Sequence, residues 1–140
     1  MQLTYHLQLI PQVNACKPRS YYIPFPGDKF SFEKGDSAFV TKLTDWDFGF
    51  FEALPKDVLS AALPARVRVP HCWQRDGFDR DMYSNIAYPF PYDPPHIDKP
   101  IPCGIYETKV QIFETQDEYY LNFEGADSCL YLFVNGMFAG

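Results

Sequence analysis

Hydrophobic and polar residues alternate with a period of two along much of this chain, and that spacing predicts β-strands. The clearest example is GIYETKVQIF, residues 104–113, where Tyr106, Val110 and Ile112 share one face and charged or amide side chains occupy the other. Such a pattern is typical of a half-buried strand. We therefore predict an all-β fold, with further strands at TYHLQLI (4–10), SAFVTKL (37–43), WDFGFFEAL (46–54), ARVRVP (65–70) and EYYLNFEG (118–125).

A β-hairpin is predicted close to the end of the sequence. Residues 129–134 are apolar on both faces, and Asn135 and Gly136 follow them. The Asn-Gly pair favours a type I′ turn, so a returning strand should begin at Met137. The sequence stops at Gly140. Because natural proteins avoid a hydrophobic strand with an unpaired edge, we expect the domain to be incomplete at this end.

Helical periodicity is nearly absent, with one exception. In LPKDVLSAAL, residues 54–63, Pro55 suits a first helical position and Asp57 suits the first turn. The segment predicts a helix of one or two turns.

A long segment rich in proline and aromatic residues, 70–102, has neither period. Its rings favour an ordered loop over disorder. Two interpretations stay open at this point. The rings and prolines could simply fasten a long loop to the sheet, or the rings and the Asn85 amide could face a sugar.

Composition restricts the class of protein and of partner. The 140 residues suit one domain, and the net charge of −6 with few clustered cations argues against a nucleic-acid partner. No apolar run approaches the length of a membrane span, and the N-terminus lacks a basic region followed by an apolar one. We expect a cytoplasmic protein with no membrane partner.

Few residues carry recognisable chemistry. The four cysteines contain no CxxC pair, which argues against zinc and favours reduced, mostly buried thiols, although a Cys72–Cys103 bridge stays open. His6, His71 and His96 are scattered, and a structural role is expected for each. No known catalytic motif occurs, and acidic pairs such as Glu107 with Glu124 are weak evidence for glycoside hydrolysis.

Several motifs in series resemble one known family. They are VPHCWQRDGFDRDMYSNIAYPFPYDPPHI, PCGIYETKVQIF and LNFEGADSCLYLFVNGMFAG, which together cover residues 69–140. Their order and spacing are similar to the N-terminal sugar-binding domain of glycoside hydrolase family 2, and of its β-galactosidases in particular. Residues before Arg66 fit less closely, since Thr44-Asp45 stands where the family usually has Asn-Gly.

The resemblance implies a jelly-roll β-sandwich, with residues 1–140 forming a single truncated N-terminal domain. In this family the catalytic glutamates lie in a (β/α)8 barrel, so the resemblance implies no catalytic residue here and an isolated chain that is inactive. The implied function is to contribute substrate contacts and interdomain packing to an enzyme that hydrolyses terminal β-D-galactosides with retention. No cofactor is implied for this chain, and Mg²⁺ and Na⁺ are left open for the full-length enzyme.

The resemblance also implies particular residues. Asn85 is expected to bind the sugar, because its amide donates and accepts hydrogen bonds, and Ile86 is expected to form an apolar wall beside it. Four residues are expected to support this loop: Trp73, Tyr83, Pro89 and Pro94. The expected partners are a β-galactoside or another sugar, the remaining domains of the parent enzyme and a homo-oligomer. Two rival functions stay open, a stand-alone carbohydrate-binding module and a structural or assembly domain.

Overall fold

The computed structural model of the chain describes residues 13–18, 20, 22–24, 37, 39–81, 100–113, 118–127 and 129–140. The strand predicted at 4–10 and most of the predicted proline-rich loop lie outside these residues. The chain divides into two compact units, one spanning Pro18–Thr108 and the other combining Gln2–Lys17 with Lys109–Gly140. Within the described part the regular elements are five β-strands and no helix, and every pair of strands is antiparallel, which confirms the all-β prediction.

The first unit contains a three-stranded sheet. Its strands are β1 (Asp45–Phe51), β2 (Ala65–Arg68) and β3 (Cys103–Glu107), in the order β2-β1-β3. Phe48 of the central strand lies opposite Ala65 on one side and opposite Tyr106 on the other. The predicted strands at 46–54 and 65–70 are confirmed over most of their length.

The third strand is shorter than the alternation of 104–113 predicts. Glu107 pairs with Asp47, close to the first residue of β1, Asp45. Beyond this point the Thr108 hydroxyl donates to the Asp45 carbonyl at 3.1 Å. β1 extends further, to Asp45, but Thr108 contacts it through its side chain, so the alternation continues in the sequence after the strand itself has ended.

The core of this unit is aromatic. Phe48 is completely buried, with the centroid of its ring 4.8 Å from those of Phe78 and Tyr106, and Val67 is also buried. Gly104 makes room for this packing, because a Cβ placed there would lie 2.7 Å from the Trp73 ring and 2.8 Å from the Phe48 ring. The absence of a side chain at Gly104 thus lets the rings of Trp73 and Phe48 pack directly on the backbone of β3.

Three of the predictions about local structure are wrong. Residues 54–63 form bends and turns without a helix, since Asp57 accepts hydrogen bonds from the Leu59 N–H at 3.1 Å and the Ser60 hydroxyl at 2.7 Å. A side chain that bonds its own turn competes with helix formation. The described residues of 37–43 and 118–125 are not strands either. Alternation provides an apolar face, but a strand also needs a partner for its backbone.

The second unit contains the predicted hairpin. Its strands are β4 (Phe133–Val134) and β5 (Met137–Phe138). The turn between them has φ of 51° at Asn135 and 77° at Gly136, two positive values as a type I′ turn requires. The predicted turn and the start of the returning strand at Met137 are confirmed.

The hairpin continues past β5 into a bulge. The Leu132 carbonyl accepts from the N–H groups of both Ala139 at 2.8 Å and Gly140 at 3.4 Å, and the Leu132 N–H donates to the Gly140 carbonyl at 2.7 Å. Two residues of the returning strand therefore oppose one, which is the pattern of a β-bulge. The side-chain amide of Asn14 donates to the Ala139 carbonyl at 2.8 Å and holds an early segment of the chain against this strand.

Candidate site in the turn after the second strand

The chain leaves β2 into a compact turn at residues 71–78, which we call the 71–78 turn. Three backbone hydrogen bonds close it: Asp76 N–H to the Cys72 carbonyl at 3.1 Å, Gly77 N–H to Gln74 at 3.2 Å and Phe78 N–H to Trp73 at 2.9 Å. Gly77 has a φ of 83°, a backbone conformation that residues other than glycine rarely adopt. These bonds make the turn one piece that must be placed on the sheet as a whole.

His71 connects this turn to the sheet. Its Nδ1 lies 2.5 Å from a carboxylate oxygen of Asp76, within the turn, and its Nε2 lies 2.8 Å from the Tyr106 hydroxyl on β3. An ionised carboxylate can only accept, so Nδ1 carries a hydrogen, and in the neutral ring Nε2 then accepts the hydroxyl hydrogen of Tyr106. Only 7% of the His71 side chain is exposed. Both of its polar atoms are thus satisfied although it is nearly buried.

The sequence interpretation placed His71 in a structural role and missed this arrangement. The partners stand 5 and 35 residues away along the chain. A histidine four residues before an arginine-aspartate pair is too common a spacing to predict contact, and the partner on β3 becomes visible only once strand pairing is known.

Tyr106 is the residue of β3 at which the contacts meet. Its ring packs at 4.8 Å from that of Phe48, and its pKa is raised, first because the side chain is partly buried and then because of the negative charge of Asp76 and the thiol of Cys72. Raising the pKa keeps the hydroxyl protonated, and a protonated hydroxyl is the form that can donate to His71.

Trp73, predicted to support the sugar-binding loop, lies in the middle of the same turn. Its ring stands 5.7 Å from that of Phe50 on β1 and against Gly104 on β3. The indole N–H is buried, and no acceptor in the described part of the chain reaches it. Packing rather than hydrogen bonding therefore holds this side chain against the sheet.

The other predicted site residues, Asn85, Ile86, Tyr83, Pro89 and Pro94, lie outside the described residues. Of the six predicted residues, the structure thus places Trp73. Their roles, including that of Trp73 as a support for the loop, stay predictions.

The cysteines take no part in a bridge. Cys16, Cys72, Cys103 and Cys129 are all free thiols, so the alternative of a Cys72–Cys103 bridge is not realised. The prediction that they are mostly buried is wrong, because all of them except Cys103 are exposed. The Cys72 thiol donates to the Gln74 side-chain oxygen at 3.2 Å within the 71–78 turn. Cys103 is partly buried, and burial raises its pKa.

Among the described residues, no group of three His, Cys, Asp or Glu side chains could hold a metal ion. The same residues contain no helix long and apolar enough to cross a membrane.

The chain is similar to known proteins. The family model for glycosyl hydrolases of family 2, sugar binding domain, matches residues 41–140. Similar curated proteins include the β-galactosidase of Actinobacillus pleuropneumoniae, 39% identical over 91% of this chain, and that of Staphylococcus xylosus, 34% identical over 94%. The β-galactosidase of Pseudoalteromonas haloplanktis is 30% identical over 92% of the chain.

No solved structure matches. The chain spans 13% of the length of the Actinobacillus protein and 14% of the other two. The family match includes the whole three-stranded sheet, the 71–78 turn and the hairpin. This membership supports the predicted jelly-roll class of β-sandwich. The chain belongs to the sugar-binding domain family of the family 2 glycosyl hydrolases.

Proposed function

We propose that this chain is part of a β-galactosidase that hydrolyses terminal β-D-galactosides with retention of configuration. The observation that carries the proposal is the similarity to proteins named β-galactosidase over nine tenths of the chain. A retaining glycosidase needs an acid/base and a nucleophilic carboxylate about 5–5.5 Å apart across the scissile bond. We assign both to another part of the parent protein, so this chain serves substrate binding and interdomain packing.

Within this chain, Asn85 is the proposed sugar contact and Ile86 the apolar wall beside it. An amide donates and accepts at once, which matches a sugar hydroxyl that does the same. The segment that carries Asn85 follows the 71–78 turn along the chain, and Trp73 is the proposed support at its start. Tyr83, Pro89 and Pro94 are proposed to stiffen the rest.

The wider setting of the protein is also proposed. Its partners are a β-galactoside, the other domains of the parent enzyme and further copies of it, and its compartment is the cytoplasm. No step of the proposed reaction is assigned to Mg²⁺ or Na⁺ through the residues described above.

The test uses the full-length protein and nitrophenyl β-D-galactopyranoside. Replacing Asn85 with alanine is expected to raise KM by about tenfold, the loss of one or two net hydrogen bonds to the sugar. The matched control is Asn122→Ala, since Asn122 is an exposed asparagine of the second unit. Equal KM values for the wild type and both variants would contradict a substrate contact at Asn85.

A second candidate function is assembly, and one observation favours it. Large apolar side chains of the second unit are exposed, with 78% of Phe113 and 69% of Met137 accessible. We propose that these side chains form one apolar surface, a feature that often marks an interaction site. On a sizing column, an assembly domain produced alone should elute as an oligomer, whereas a stand-alone carbohydrate-binding module should elute as a monomer and bind galactose saturably.

A further inference from the structure

We propose that His71 is a positioning residue that fixes the 71–78 turn on the sheet and thereby sets where the chain departs towards Asn85. This inference deepens the proposed function and rests on it. It concerns a hydrogen-bonded series, Asp76–His71–Tyr106, which we call the histidine clamp.

The clamp joins two pieces that are otherwise internally complete. The 71–78 turn is closed by its own backbone bonds, and β3 is bonded to β1 along its length. In the described residues, the side-chain hydrogen bond from the turn to β3 is the one between His71 Nε2 and the Tyr106 hydroxyl, 2.8 Å long. The chain entering the turn is already held at the sheet, since the Val69 N–H donates to the Thr44 carbonyl at 2.8 Å, and we assign the placement of the turn against β3 to the His71 contact.

Aromatic packing alone would fix that placement less tightly. Phe78 lies on Phe48 at 4.8 Å and Trp73 lies on Phe50 at 5.7 Å and against Gly104, contacts that press the turn onto the sheet but satisfy no polar atom of it. Hydrogen bonds weaken steeply when distance or angle departs from the optimum. The rings hold the turn against the sheet, and the clamp determines its register.

Burial makes the clamp costly to break. The His71 side chain is 7% exposed and also touches the Phe48 ring, at 5.4 Å between centroids. If either partner were removed, a nearly buried ring nitrogen would lose its hydrogen bond without gaining free access to water. The turn would then shift to recover a partner, and the described residues that leave it, 79–81, would shift with it.

Asp76 has a distinct part in the clamp. Its carboxylate lies within the turn, and by accepting from Nδ1 it leaves Nε2 of the neutral ring as the acceptor for Tyr106. Asp76 thus orients the imidazole, while Tyr106 is the residue of the sheet whose hydroxyl donates to it. The two contacts have different consequences when lost, and this difference can be measured.

The experiment exploits the shapes of two amides. In the full-length protein, His71→Gln places an amide group near the position of Nε2 and keeps a contact to Tyr106, whereas His71→Asn places one near Nδ1 and keeps a contact to Asp76. We expect His71→Asn to raise KM for nitrophenyl β-D-galactopyranoside by about two- to tenfold, the range of one net hydrogen bond, with little change in kcat. His71→Gln should retain a KM closer to that of the wild type.

Tyr106→Phe gives the same test from the other side, because it removes the hydroxyl and keeps the ring on Phe48. It should raise KM as His71→Asn does. The control is Asp57→Asn, which weakens another side-chain-capped turn of the same unit outside the clamp. Its KM should equal that of the wild type.

The proposal is overturned if His71→Asn and Tyr106→Phe leave KM unchanged, if His71→Gln is impaired as much as His71→Asn, or if Asp57→Asn raises KM equally. The Asn85→Ala variant separates the two proposals. A raised KM for Asn85→Ala beside unchanged clamp variants would overturn the clamp alone, and an unchanged KM for Asn85→Ala would overturn the substrate contact itself.

Discussion

The sheet of the first unit and the hairpin of the second are specified by different interactions. The sheet has three strands around a fully buried Phe48, with rings from the 71–78 turn packed against it. The hairpin pairs two residues with two, and both residues of β5, Met137 and Phe138, are exposed. Packing over long sequence distances specifies the sheet, whereas two turn residues specify the hairpin.

This difference has a thermodynamic consequence. A lone two-stranded hairpin is at best marginally stable in water, while three strands with a packed face can be stable. We therefore expect the two regions to respond to different substitutions: the sheet to changes of volume, and the hairpin to changes of backbone conformation.

The largest effect is expected at Phe48. Replacing it with alanine removes the one completely buried large side chain among the described residues and should destabilise the first unit by about 3–5 kcal/mol. Both tryptophans of the chain, Trp46 and Trp73, lie in this unit, so urea unfolding followed by their fluorescence reports on it. The matched control is Phe113→Ala, an exposed phenylalanine of the second unit, which should leave that transition in place. Equal shifts for both variants would contradict the comparison.

The next effect is overpacking at Gly104. A Cβ there would lie 2.7–2.9 Å from the Trp73 and Phe48 rings, so Gly104→Ala should cost about 1–3 kcal/mol of unfolding free energy. Gly125→Ala is the control, since no atom lies within 4 Å of a Cβ at that position. The urea midpoint should fall for the first variant and stay unchanged for the second. A neutral Gly104→Ala would mean that Trp73 does not lie over β3.

A smaller effect is expected in the turn of the hairpin. Gly136 has a φ of 77°, and an alanine at this position should destabilise the turn by about 1 kcal/mol. The N–H groups of Leu132 and Ala139 donate across the hairpin to the carbonyls of Gly140 and Leu132, and their hydrogen exchange should accelerate. The tryptophan-detected transition of the first unit should not move, and a shift there would show that the two regions are not specified independently.

The smallest effect is the response of the sheet to alkaline pH. Burial raises the pKa of Cys103 and of Tyr106 above the ordinary values of 9.0 and 10.0. Between the unfolded and the folded pKa the folded state binds more protons, so stability falls as pH rises. The contribution is fully present below pH 9.0 and is lost as pH rises through the raised values. Partial exposure keeps the effect modest.

Urea midpoints measured from pH 7 upwards should therefore decline at alkaline pH. A Cys103→Ser, Tyr106→Phe double variant should show a shallower decline, because the two groups whose pKa is raised in the folded state are removed. An identical decline in the variant would assign the effect to other groups.

The elements that the sequence predicted correctly are those with strong local or alternating signals. Asn135-Gly136 dictates its turn through backbone conformation, and alternation located β1 and β2. The helix at 54–63 was wrong because Asp57 caps a tight turn as well as it would begin a helix. Local signals cannot decide between two structures that use the same hydrogen bonds.

The candidate site was predictable only in part. Motif order pointed to Trp73 and to the segment that carries Asn85, but the clamp joins residues 35 positions apart whose types are common. Contacts of this kind depend on strand register, here the pairing that brings Tyr106 opposite Phe48. Sequence resemblance identified the family, and geometry was required to identify how the turn is held.

The most direct test of the central claim is the substrate preference and stereochemistry of the full-length protein. Nitrophenyl β-galactoside, β-glucuronide and β-mannoside are compared under one condition, and the first-formed sugar is followed by NMR. We expect the galactoside to be hydrolysed with the highest kcat/KM and to release β-galactose first. Release of α-galactose, or a higher kcat/KM for the glucuronide or the mannoside, would contradict the assignment of this chain to a retaining β-galactosidase.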